Sequence, residues 1–69
     1  MNSEILNNFG QIIQRHRKNL KISQEELAFR AGLHRTYIGM IERGEKNITL
    51  LNIHKLASAL QIPVSKLFE

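Results

Sequence analysis

The chain has 69 residues, a formal net charge of +4 and no cysteine, so it is one small domain near the lower size limit for a self-sufficient core, with neither disulfides nor thiolate zinc sites to support it. No apolar run approaches the roughly 20 residues that span a bilayer. The basic balance suits a polyanionic partner, because each neutralised phosphate releases counterions.

Every long segment reads with helical spacing. Leu6, Phe9, Ile13, His16, Arg17 and Leu20 recur at intervals of three and four, predicting an amphipathic first helix from about Ser3 to Leu20. Ser23 and Glu26 form an S-x-x-E capping box that opens a second helix over Gln24 to about Ala31. Gly32 supplies a residue that turns left-handed without a Cβ penalty. A third helix spans roughly Arg35 to Arg43 and is stopped by Gly44, again a natural left-handed cap. Thr49 is the expected N-cap of a fourth helix, whose buried face is marked by Leu50, Ile53, Leu56, Ala57 and Leu60. Pro63 then opens a short fifth helix holding Val64, Leu67 and Phe68. The expected architecture is therefore all-α, five short helices around one core, in a single domain over residues 1–69. Ile5, Ile12 and Leu51 fall off the best core stripes. They read either as scattered surface hydrophobics or, with Ile62 and Phe68, as a dimer patch.

Residues 24–43, QEELAFRAGLHRTYIGMIER, carry the functional signal. Leu27, Ala28 and Ala31 give the second helix a small-residue face; Gly32, Leu33, Ile38 and Ile41 follow at the offsets of a helix, a tight turn and a steeply crossing helix. The third helix has two faces. Tyr37, Ile38 and Ile41 point mostly inward, while Arg35, Thr36, Gly39, Met40 and Arg43 line the outer side. An α-helix fits the major groove of DNA, where each base pair shows a distinct hydrogen-bonding pattern. Arg35 can place its guanidinium fork on guanine O6 and N7, Thr36 can hydrogen-bond a base or touch a thymine methyl, and Met40 suits another thymine methyl. These three are the expected base contacts. Gln24, beside the positive end of the second helix, is an expected phosphate contact. So are Arg43, Lys46, Asn47 and Asn52, around the loop after the third helix, and Tyr37, a core aromatic whose hydroxyl can reach a phosphate. Gly39 costs about 1 kcal/mol relative to alanine; close approach to DNA and an uncritical site both account for it.

Arg17 and Glu42 fall on the inward sides of their helices, where an isolated charge is expensive; they are expected to pair across helices one and three. His16 reads as a packed neutral imidazole. His34 stands where Ser, Thr, Asp or Asn normally caps a helix, so either it caps poorly or its ring meets a phosphate. The histidines lie far apart without ligand spacing, so no metal, cofactor or small-molecule ligand is expected. No nucleophile–base pair or paired acid cluster is present, and Gly44-Glu45-Lys46 lacks the upstream glycine of a P-loop. An enzyme is not expected.

The runs I-S-Q-E-E-L-A, G-L-x-R-T-Y-I-x-x-I-E-R-G and N-I-T-L-x-x-I-x-K-L-A-x-A-L resemble the Cro/CI-type (XRE) helix-turn-helix family, over about Phe9 to Phe68. The resemblance implies a compact, five-helix, lambda-repressor-like domain that binds operator DNA as a symmetric dimer, with the third helix in the major groove. It also implies that the Arg17–Glu42 pair is a family feature. Within the family, H-R-T-Y-I-G-M-I-E-R-G-E-K-N-I-T looks most like controller proteins of restriction–modification systems. There Arg35, Thr36 and Tyr37 match base- or phosphate-contacting positions, and Lys46 and Asn52 match positions near the DNA backbone. Two residues depart from the pattern: Lys21 stands where members usually have Gly, at a cost of around 1 kcal/mol if that turn is left-handed, and His34 replaces the customary cap. Controllers are often slightly longer at the C-terminus, where their dimer contact forms; the shorter tail bears on dimer strength and not on the fold.

The leading expectation is a homodimeric, sequence-specific transcriptional regulator on a palindromic operator, acting without cofactor. The alternative is an antitoxin-like or other protein-interaction module with only nonspecific DNA binding, supported by the apolar residues Leu51, Ile62 and Phe68. MNSEILNNFG lacks the basic and apolar regions of a signal peptide, so a cytoplasmic, nucleoid-associated protein of bacterial or phage type is expected.

Overall fold

A computed structural model of the chain describes residues 3–69. Among these residues it forms four α-helices, α1 (Ser3–Asn19), α2 (Gln24–Ala31), α3 (Arg35–Glu42) and α4 (Leu50–Leu60), followed by a 3-10 helix (Val64–Phe68). The fold is all-helical, but the expected fifth α-helix is absent. Gln61 turns left-handed at φ 62° and Pro63 precedes the final element, leaving only a five-residue piece. Its Lys66 amide bonds back to the Pro63 carbonyl, and such i→i+3 bonding is how short terminal segments close. Among the described residues, no helix is long and apolar enough to cross a membrane.

The helix ends follow from side-chain chemistry. Ser23 Oγ accepts the Glu26 amide at 2.9 Å and Thr49 Oγ1 accepts the Asn52 amide at 3.1 Å, each satisfying one orphan donor. The capping box at Ser23 is only half made, because the Glu26 carboxylate takes Arg30 Nε at 2.9 Å, one turn along the same helix. At the other ends a single motif recurs. The amides of Ile22, Leu33, Glu45 and Ile62 each reach back five residues, to the carbonyls of Arg17, Ala28, Met40 and Ala57. Each bond spans a left-handed residue, Lys21, Gly32, Gly44 or Gln61. These are Schellman closures.

The core takes Ile13 from α1, Leu27 from α2, Ile38 and Ile41 from α3, Leu56 and Leu60 from α4, and Leu67 from the 3-10 helix, all fully buried. Phe9, Ala28, Ala31, Ala57 and Ala59 complete it. Leu50 was expected on the buried face of α4 but is 71% exposed; as the first helical residue it lies one turn before Ile53, beyond the edge of the core. Ile12, expected off the core, is half-buried and packs against it, whereas Ile5 and Leu51 are exposed. His16 is half-buried at the margin of the α1 stripe. Ala28 is buried on α2. Gly10 lets α1 approach α3 closely: a Cβ there would run into the backbone carbonyls of Ile41 and Glu42.

Candidate nucleic-acid interface

The N-terminus of α2 meets α3 through Gln24 and Glu42, and the first turn of α4 meets α3 through Asn52 and Tyr37. The foundation is the Glu42 carboxylate, whose side chain is 2% exposed. Arg17 Nε donates to Glu42 Oε2 at 2.6 Å and Arg17 Nη2 to Oε1 at 3.1 Å. Arg17 Nη1 donates to the Ile22 carbonyl at 2.9 Å, and Gln24 Nε2 donates to Glu42 Oε1 at 3.0 Å. One residue of α3 is thus held from both α1 and α2. Among the described residues, no buried side-chain nitrogen or oxygen lacks a partner.

Above this foundation Arg35 and Thr36 are exposed at the start of α3, and Met40 is half-buried one turn on. Arg35 and Gln24 share a shallow cleft with Arg17, Ser23 and Glu25. Gln24 spends one amide N–H on Glu42 and keeps the second. Gly39, expected on the outer side, is buried. A Cβ at this position would lie 3.2 Å from Arg43 Nη1 and 3.7 Å from Gln24 Oε1, so two long polar side chains lie over it and screen it from solvent. His34 caps α3: its Nδ1 accepts the Thr36 amide across a long 3.3 Å bond. The imidazole stands in for the usual hydroxyl or carboxylate, weakly.

Tyr37 and Asn52 meet, with Asn52 Nδ2 donating to Tyr37 Oη at 3.0 Å. The bond ties the first turn of α4 to α3 and leaves the phenolic hydrogen free to donate outward. Arg43 pairs with Glu45, Nε to Oε2 at 3.0 Å, both side chains more than half exposed. The hydrogen bond from Glu45, and then its charge, hold the Arg43 guanidinium above its ordinary pKa. Lys46 and Asn47 are exposed in the following loop. Sequence reasoning gave no role to Glu45, whose partner is set by the turn geometry.

The residues expected at a dimer contact do not behave alike. Leu51 and Phe68 are exposed, while Ile62 is half-buried against the core because it closes the α4 turn. Phe68 tilts its ring against Phe9, with centroids 5.4 Å apart. The two rings border an apolar cleft of about 150 Å³ that also involves Ile5, Leu6, Ile48 and Ile53. Phe29 on α2 is 81% exposed and had no assigned role.

A helix-turn-helix family model matches residues 13–67. The chain is 45% identical over 62 residues to the control protein C.BamHI of Bacillus amyloliquefaciens, covering 88% of this chain and 76% of that protein. It is 39% identical over 61 residues to the control protein C.MunI of a Mycoplasma species, covering 87% and 82%. The restriction–modification controller protein C.AhdI from Aeromonas hydrophila superposes with a TM-score of 0.90 at 49% identity, covering 91% of this chain and 96% of that one. With a buried ion pair fixing a helix whose first turn is exposed, and with these likenesses across most of its length, the chain belongs to the helix-turn-helix family of DNA-binding transcription regulators, of the Cro/CI (XRE) type.

Proposed function

We propose that two copies of this chain read an inverted-repeat operator, in the manner of a restriction–modification controller. The observation that carries the reading is the position of Arg35 and Thr36, exposed at the N-terminal end of α3 while Glu42 at its other end is locked to α1 and α2. A recognition helix must present its first turn to base edges on a rigid support. Arg35, Thr36 and Met40 contact bases. Gln24, Tyr37, Arg43, Lys46, Asn47 and Asn52 contact phosphates and set the register, the Tyr37–Asn52 bond presenting the phenol to the backbone. One module buries too little surface for tight specific binding, so a second copy supplies affinity as well as symmetry. Leu51 and Phe68, with the neighbouring Leu50 and Ile5, form the contact between copies, and Ile62 adds less. The controller assignment is supported by the 49% identity to C.AhdI. The protein acts in the cytoplasm, on nucleoid DNA, without cofactor.

A second reading, a protein-interaction module of antitoxin type, draws on the exposed Phe29 and Leu51. Two variants distinguish base reading from simple backbone attraction. Arg35→Ala should lose roughly 1–3 kcal/mol on the operator and relax choice at one base pair. Lys46→Ala should weaken all sequences alike and flatten the salt slope by about one unit per bound copy. Equal effects of both on operator and random duplexes would remove Arg35 from the base-reading set.

A further inference from the structure

All four α-helices close through the same turn, and in three of them the residue after the left-handed position is apolar. Ile22, Leu33 and Ile62 each fold onto the core from that place. After α3 the place belongs to Glu45, whose side chain is 51% exposed. The closure of α3 therefore takes no apolar contact from this residue. Its carboxylate turns to Arg43, accepting Nε at 3.0 Å. Held this way, the guanidinium lies back along α3, with Nη1 above Gly39, where the missing side chain leaves room for it. Carboxylate and phosphate engage a guanidinium by the same charge-assisted donors.

We propose that Glu45 is an internal competitor for Arg43, occupying the guanidinium edge that a DNA phosphate would take and so lowering affinity for the backbone on all sequences alike. The inference rests on the phosphate role given to Arg43 above. To bind, a phosphate displaces Glu45 or shares the guanidinium with it, against the repulsion of a carboxylate beside the site. An exposed ion pair is weak, so the competition is worth about two- to fivefold in affinity. That factor tunes the concentration at which the protein occupies DNA without altering which base pairs it prefers, because phosphate contacts carry no sequence information.

The test is a four-variant cycle on one duplex of random sequence, titrated across a range of salt: unaltered protein, Glu45→Gln, Arg43→Ala and the double variant, with thermal melting of each to show that it folds. Glu45→Gln should bind about two- to fivefold tighter with a salt slope steeper by about one unit per bound copy. In the Arg43→Ala background the same substitution should change little. If Glu45→Gln weakens binding or leaves it unchanged, or tightens it by the same factor without Arg43, the competitor role is overturned. An Arg43→Ala protein that binds as tightly as the unaltered chain would remove the phosphate role of Arg43, and this inference with it. Weaker binding by Arg43→Ala beside an inert Glu45→Gln would overturn the inference alone.

Discussion

Lys21 closes α1 at φ 60°, a conformation in which the Cβ of an L-residue crowds the following carbonyl at a cost of about 1 kcal/mol. The Lys21 amide bonds the Lys18 carbonyl and the Ile22 amide reaches Arg17, so the turn is the left-handed one despite the lysine. Lys21→Gly should therefore raise stability by about 0.5–1 kcal/mol, the relief of strain being partly offset by the greater freedom of glycine in the unfolded chain. Chemical denaturation checks this, and a loss of stability would show that the lysine stem contributes packing that outweighs the strain. The unusual residue at this turn is visible in the sequence through the family resemblance, in which Lys21 stands where members usually have Gly; Gln61, left-handed in the same way, carries no such mark. Other single-residue features are not visible there. That His34 turns its Nδ1 onto the Thr36 amide, or that Gly39 lies beneath Gln24 and Arg43, depends on rotamers of long side chains, which helical periodicity does not specify.

At the scale of the elements, both boundaries of α2 are legible, from the Ser23 cap and the Gly32 stop, whereas α4 shows its start at Thr49 but not its left-handed stop at Gln61, which no glycine marks. The final helix is not legible, because an apolar triplet behind a proline suits α and 3-10 geometry equally well. The structure shows the tighter helix, over Val64–Phe68. The joining of the elements is legible in part: inward-facing charges mark Arg17 and Glu42, but nothing in the spacing shows that Gln24 also turns onto the carboxylate. This junction sets the pose of α3 against the scaffold. Arg17→Met would leave Glu42 almost fully buried with Gln24 alone, and should cost about 3–5 kcal/mol. Removing both charges, as Arg17→Met with Glu42→Leu, should recover much of that loss, because the penalty comes from the orphaned charge. Urea denaturation of the three proteins tests the point, and an unchanged midpoint for Arg17→Met would mean that the pair does not hold α3 in place.

At the scale of the whole molecule, Arg35, Thr36, Lys46 and Asn47 are exposed polar residues, and Ile5, Leu50, Leu51 and Phe68 are exposed apolar ones. Ile5 and Phe68 border the apolar cleft, as does Asn47 of the loop into α4. In the proposed dimer these apolar residues form the contact between copies. Leu51→Glu should abolish self-association in sedimentation velocity while leaving the melting temperature nearly unchanged, because Leu51 is exposed and an acidic residue in the first turn of α4 suits the helix dipole. Persistence of a dimer in that variant would move the contact elsewhere, with the exposed Phe29 the next surface to test. From the sequence, Leu51 is recognisable as an apolar residue off the core stripes, and Phe68 as a candidate for the same patch. Leu50 is not, because its register with Ile53 mimics a buried position at a helix end where no neighbour covers it.

Selection of bound duplexes from a random-sequence pool, with the purified protein near physiological salt, tests most directly whether this chain reads DNA as a symmetric pair. The account predicts enrichment of an inverted repeat whose half-sites lie about one helical turn apart, centre to centre. Failure to enrich any sequence, with binding that depends on salt alone, would contradict it and leave only the attraction of a basic surface for the phosphate backbone.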